Sequence, residues 1–249
     1  MLEFTIDSVT LLLQTAGCFA PNLTTKILAR SALKQLQSAS ATGLRVLELG
    51  CGSGVISAYL IKAGALPNVD RICLSDVSVE AVEMARTNLG KVQEYLLNGR
   101  KPEIRAGRSF SPWKNEEFNF VINDISAISE SISKVSDWFN FAQNSAGEDG
   151  IAQTVEVIKE FYDSKYLTGT LLFPVISLSN EAKLFQFVNT LNVKLKQIES
   201  IEWPLPVDLV KNNQQLLDKL RSTKTITLQE RFGRLIARTT CYELKKILV

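Results

Sequence analysis

The sequence predicts an α/β protein with a doubly wound, mostly parallel seven-stranded sheet and a short helical N-terminal extension. Three observations predict it. Short apolar runs alternate along the chain with segments of helical apolar spacing. A glycine-rich turn joins the first of these runs to the helix that follows it. No Pro/Gly/Ser-rich linker divides the 249 residues, so 41–249 read as one domain behind an extension at 1–40.

The elements follow in order. The first forty residues read as helices: 9–13 are apolar, and 27–37 (ILARSALKQLQ) have helical spacing. Residues 45–50 (RVLELG) make a buried-type strand, then a glycine loop and a helix over 53–65. Residues 70–76 (DRICLSD) are the second strand, and 78–97 a helix with Ser78 as its N-cap. Residues 103–107 and 118–124 are the third and fourth strands. A polar connection containing Trp138 and Phe139 leads to a helix at 151–166. The fifth strand is 170–178, with Pro174 inside it, a residue rare in central strands and a mark of a bend. A helix at 180–192, a strand at 194–204, an inserted helix at 208–221 and an alternating last strand at 234–244 complete the chain. Pro204 and Pro206 bound the insertion at 204–222, which is placed to act as a lid.

Composition removes whole classes of function. The chain has no histidine, which excludes a Ser-His-Asp or Cys-His hydrolase and any zinc site built on imidazole. Cys18, Cys51, Cys73 and Cys241 form no C-x-x-C pair, so no metal site is expected, nor a disulfide. Lys and Arg number 28 against 26 Asp and Glu, a formal charge of +2, which argues against a dedicated nucleic-acid binder but leaves room for a local basic patch. The first residues carry acids and too short an apolar run for a signal peptide or membrane helix, so a soluble cytoplasmic protein without a membrane partner is expected.

The chemistry concentrates at Val46–Gly54, VLELGCGSG. Gly50, Gly52 and Gly54 let the backbone turn tightly and approach a ligand, because no Cβ intervenes. Taken alone, the triplet is also what a tight strand-to-helix turn needs. Asp76 ends the next strand, at the place where an acid meets ribose hydroxyls in nucleoside-binding sheets. Its carboxylate can accept both bonds of a cis-diol, or else cap the following helix. Loop and acid together point to a nucleoside cofactor. Glu48, two residues before the loop, either orients it and meets a cationic ligand group or is a buried acid satisfied by loop amides.

VLELGCGSG, with SDVSVEAVEMARTN at 75–88, resembles the class I methyltransferases that use S-adenosylmethionine. Within them the chain looks most like the HemK/PrmC-type small-domain group. That likeness covers roughly residues 1–180 and includes GCFAPNLTTKIL, GEDGIAQTVEVIKEF and TLLFPVISLS. The resemblance implies a Rossmann-like methyltransferase fold. It implies that Gly50, Cys51, Gly52 and Gly54 surround the methionine part of the cofactor and that Glu48 supports it. It implies that Asp76 holds the ribose with Val77 beside it, and that Asn123 borders the cofactor.

Two motifs depart from that group. Its amine methyltransferases carry Asn-Pro-Pro-Tyr/Phe after the fourth strand, where this chain has Asn123-Asp124-Ile125-Ser126. The prolines that preset the backbone and the aromatic that stacks on a planar acceptor are both gone. Asp124 is then a base, a ligand for a cationic amine, or the cap of a turn. An acid near adenine is replaced by Gly107-Arg108-Ser109-Phe110, which leaves adenine to backbone groups or Ser109, with Arg108 at the surface. Glu148-Asp149-Gly150 looks like the group's turn before its next helix.

The expected function is methyl transfer from S-adenosylmethionine to a small polar metabolite or natural-product intermediate, at N, O or C. Asn123 and Asp124 are the candidate catalytic residues, and Asp124, Ser126, Trp138 and Phe139 the candidate substrate contacts, the two rings serving either there or in packing. The alternatives are a protein (glutamine-like) or tRNA-base acceptor, with tRNA disfavoured by the charge, and a cofactor-binding module without transfer.

Overall fold

The structure is a computed structural model and describes residues 1–15, 18–64, 67–96, 101–125, 128–139 and 146–247. It opens with a hairpin, β1 (Leu2–Ile6) and β2 (Val9–Leu13), paired antiparallel with Ile6 opposite Val9. Helices were expected here. Phe4, Ile6, Leu11 and Leu13 alternate inward, and this period of two belongs to a strand. The unbroken Leu11-Leu12-Leu13 run hides the alternation, while Leu12 is in fact exposed. Asp7, at φ 50°, makes the turn. Among the described residues of this region only α1 (Leu23–Ser38) is helical. Asn22 caps it by accepting from the N–H groups of Thr24 and Thr25.

The central elements follow as β3 (Leu44–Leu49), α2 (Val55–Lys62), β4 (Val69–Asp76), α3 (Val79–Gly90), β5 (Glu103–Ala106) and β6 (Phe118–Asn123). Then come α4 (Glu130–Ser133), α5 (Ala152–Asp163), β7 (Leu167–Ile176), α6 (Glu181–Val188) and β8 (Val193–Pro204). The chain ends with α7 (Val207–Asn212), α8 (Gln214–Ser222), β9 (Gln229–Arg231) and β10 (Arg234–Lys246). The sheet runs β5-β4-β3-β6-β7-β10-β8, the seven strands expected. β3 through β7 are parallel, and β10 is antiparallel to both its neighbours. An eighth strand, β9, pairs with the start of β10. The expected helix at 208–221 is two helices, broken at Asn213.

Pro174 interrupts nothing. The ladder between β6 and β7 ends before it at Ile122–Leu172, and the ladder with β10 runs through Pro174, opposite Cys241, without a register shift. Three apolar clusters hold the layers together. One joins the hairpin and α1 to α2 and one sheet face. A second packs α5 and α6 on the other face. The third sits at the carboxyl end of β7, where Ile176 and Leu178 meet Leu217 and Leu220 of α8. β4 and β5 lie on one side of β3, and β6 and β7 on the other. The order therefore reverses between β3 and β6, and open α/β sheets bind ligands in the crevice at such a switch point.

Candidate functional site

A cavity of about 490 Å³ opens at that switch point, a size that suits a nucleoside-sized ligand. Its floor is the loop after β3. Gly50, Gly52 and Gly54 have φ of 68°, 50° and 72°. Two of them also need their lack of a side chain for space. A Cβ on Gly50 would lie 2.8 Å from Ile125 Cγ1, and one on Gly54 3.1 Å from Ala85 Cβ. Gly52 is different, because a Cβ there meets nothing within 4 Å and points into open space.

The loop is tied at both ends. Cys51 N–H donates to the Ser75 carbonyl at 3.0 Å, and Asp124 N–H to that of Leu49 at 2.9 Å. Asp76 Oδ2 accepts from Gly52 N–H at 2.9 Å, and its Oδ1 from Ser78 N–H at 3.0 Å. Asn88 of α3, buried, donates to the carbonyls of Ser53 and Gln14, both at 2.9 Å. It fastens the N-terminal segment to the loop. It stands in the 75–88 run but carries no signal of that role in a lone sequence.

The expected site residues separate into three groups. Gly50, Cys51, Gly52, Asp76, Val77, Ser109 and Asp124 all line the cavity. Val77 is largely exposed at the rim. Ser109 sits at φ 48°, and its hydroxyl donates to Glu160 at 2.6 Å, so the backbone of this residue rather than its side chain is left for a ligand. Arg108 is exposed and paired with Glu156. Glu48, Gly54 and Asn123 lie behind the wall. Glu48 is fully buried and accepts from the N–H and hydroxyl of Ser57 in α2, while its Oε1 has no partner among the described residues. The bonds it does accept come from the helix rather than from loop amides. Asn123 Oδ1 accepts from Ile125 N–H at 3.4 Å, and its Nδ2 is buried without a partner among the described residues.

Of the two roles open to Trp138, pocket wall or packing, it takes the packing one and is not among the residues lining the cavity. It packs edge-on against Trp203, centroids 5.9 Å apart, in the cluster under α8. The apolar face of α8 has drawn it away from the cavity. Ser126 lies outside the described residues, as does the side chain of Phe139. Glu148-Asp149-Gly150 is a packed turn: a Cβ on Gly150 would meet Ser129 N at 2.4 Å. Cys18, Phe19 and Thr25 roof the cavity, and Gln153 and Glu156 of α5 close its side. These residues were not expected there, because only the folding of distant elements brings them in.

The electrostatics favour a cation. Burial pushes the Glu48 carboxyl up to about 7, with the charge of Asp76 adding to the effect and the bonds from Ser57 opposing it. Burial likewise raises Asp124 well above the ordinary carboxylate range, with Glu48 and Asp76 adding repulsion. A positive ligand group among three carboxylates relieves that repulsion. The open space over Gly52, the Asp76 carboxylate and this field fit a sulfonium-bearing nucleoside.

Residues 13–125 match the methyltransferase small domain family. No curated protein matches the chain. Among solved structures it is similar to a putative RNA methyltransferase from Pyrococcus horikoshii. The identity is 14%, the TM-score 0.51, and 93% of this chain and 92% of that one are covered. It is also similar to a ribosomal protein L11 methylase from Lactobacillus delbrueckii subsp. bulgaricus, at 16% identity and TM-score 0.49, over 92% and 82% of the two chains. A third is TrmK of M. capricolum, in complex with S-adenosyl-homocysteine. It is 11% identical with TM-score 0.45, over 86% and 67%. No helix among the described residues is long and apolar enough to cross a membrane. The glycine loop and Asp76 both lie inside the segment 13–125 that is similar to the methyltransferase small domain family.

Proposed function

We propose that the chain methylates an amine nitrogen held at Asp124. One observation carries this reading: the Asp124 carboxylate lines the cavity and makes no hydrogen bond with any described residue. A carboxylate on a cavity wall that no protein donor engages is available to accept from a ligand's N–H. Carboxylate acceptors would be repelled there, and carbon acceptors would leave it without a donor.

Asp76 would hold the ribose hydroxyls, Val77 would cover the base, and Gly50 to Gly52 would pass along the methionine part. The bound cofactor supplies an electrophilic methyl group on a sulfonium. Asp124 accepts the N–H of the incoming amine, turns the nitrogen lone pair inward and takes its proton as the nitrogen is methylated. A raised pKa suits this task, because it makes the carboxylate a stronger base. Asn123 is a positioning residue: through the Ile125 N–H it sets the turn that carries Asp124.

The test is transfer of labelled methyl from the cofactor to panels of amines, carboxylates and activated carbon acids. Label is expected in the amines alone, with Asp124→Asn slowed about a hundredfold and affinity for the uncharged product S-adenosyl-homocysteine retained. Label in carboxylates, or full turnover by Asp124→Asn, would overturn it. Cofactor binding without turnover on any acceptor would favour a module without transfer.

A further inference from the structure

β10 overshoots its neighbour. It pairs with β7 from Thr239 onward, while residues 234–238 continue past the end of that ladder. The parallel strands point their carboxyl ends at the cofactor cavity, and β10 runs the other way. Its first residues therefore project beyond the sheet edge that carries the cavity, Arg234 roughly 16 Å past the last β7 partner at the rise of an extended strand. There they pair with β9, Arg231 opposite Arg234, around a two-residue turn of Phe232 and Gly233.

That turn holds an ill-suited residue. Phe232 and Gly233 have φ of 52° and 70°. Hairpin turns of this kind favour Asn-Gly or Asp-Gly, since a bulky side chain is strained at positive φ. Phe232 is nonetheless there, and it is fully exposed. Neither the turn nor burial explains an aromatic ring at this position.

The surroundings are basic. Residues 207–234 hold six Lys or Arg against three Asp or Glu, an excess of three that exceeds the +2 of the whole chain. Lys219 in the last turn of α8, Lys224 just after it, and Arg234, two residues after Phe232, are exposed and make no ion pair with any described residue. Arg231 is held by Glu202 at 2.7 Å, which fixes the hairpin.

We infer that the β9–β10 hairpin docks single-stranded nucleic acid, with Phe232 stacked on an unpaired base and Lys219, Lys224 and Arg234 on the phosphates. A polyanion matches the charge, and a flat base matches a lone ring on a rigid stem. A membrane surface fits poorly, because one ring gives little apolar area to insert. The even overall charge conceals this patch by averaging. The inference goes beyond methyl transfer and rests on that reading only for which sheet edge is the catalytic one.

The test is fluorescence anisotropy of end-labelled 20-nucleotide single strands, one RNA and one DNA, with the full chain. Binding is expected to fall steeply between 50 and 200 mM salt. Phe232→Ala is expected to weaken it about tenfold, and Phe232→Trp to preserve it. Lys219→Glu with Lys224→Glu is expected to weaken binding and flatten the salt dependence. Phe232→Asn separates docking from structure, since it should raise the melting temperature by relieving the turn while still weakening the oligonucleotide. Affinity unchanged in Phe232→Ala, or capture by phosphatidylserine vesicles but not by either strand, would overturn the inference. So would a dimer in sedimentation that Phe232→Ala abolishes. Calorimetry with S-adenosylmethionine on each variant keeps the two readings apart. Loss of cofactor binding by the unmodified chain would sink methyl transfer and leave the oligonucleotide result standing.

Discussion

Asp76 and Gly52 are joined across the sheet's switch point: the carboxylate at the end of β4 accepts the N–H of the loop after β3 at 2.9 Å. The bond makes one object of two features that lie 24 residues apart. It holds Gly52 at positive φ with open space above it, and it leaves each carboxylate oxygen able to accept a further bond. A ligand that bridges loop and acid therefore meets a site already in shape.

The three loop glycines separate into different defects when mutated. Gly50→Ala drives a Cβ into Ile125 and is expected to destabilise the fold by about 2–3 kcal/mol. Gly52→Ala pays only the strain of its φ, about 1–2 kcal/mol, yet fills the space over the loop. Thermal melts should find Gly50→Ala the less stable of the two. Calorimetry should find Gly52→Ala folded but binding the cofactor at least tenfold more weakly.

Glu48 should make stability fall as pH rises. Its carboxyl titrates near 7 when folded against 4.5 in the unfolded chain. Between those values the folded state holds the extra proton, so the relative stability it confers is fully present below about 4.5 and lost as pH rises through 7. Glu48→Gln keeps an acceptor for Ser57 and removes the titration. Denaturant melts should therefore show the Gln variant gaining on the parent chain from pH 5 to 8, by at most about 3 kcal/mol.

Asp124 should govern the acid side of the rate profile. Its carboxyl must be ionised to take a proton, and burial raises it well above the ordinary range. Turnover should therefore decline as pH falls through that raised value, at a pH where an ordinary carboxylate would still be ionised. A profile of kcat/KM against pH should lose this limb in Asp124→Asn.

Trp138 should matter to stability and not to binding. Removing its contact with Trp203 by Trp138→Ala is expected to cost about 2 kcal/mol. The variant's affinity for the cofactor should stay within a factor of two, measured on the protein still folded at the same temperature.

What the chain discloses in advance is what depends on neighbours in sequence. The loop 50–54 and Asp76 are legible because each sits at the end of a strand whose apolar run is itself legible, and parallel order places such ends side by side. The N-terminal hairpin is not, because Leu12 fills an outward position with an apolar residue and masks the period. Trp138 is near the acceptor turn in sequence, but α8, eighty residues later, supplies the apolar surface that takes it. Glu156 and Gln153 reach the cavity only through the packing of α5. Phe232 looks like turn punctuation beside Gly233 until its exposure is seen, and the basic patch is averaged away in the total charge.

The account is tested most directly by calorimetric titration of the chain and of Asp76→Ala with S-adenosyl-homocysteine. The chain should bind one equivalent. Asp76→Ala, folded but without the carboxylate that tethers Gly52 and meets the ribose, should bind about a hundredfold more weakly or not at all, from the loss of charge-assisted hydrogen bonds. No heat from the folded parent chain, or equal affinity in the two proteins, would contradict it.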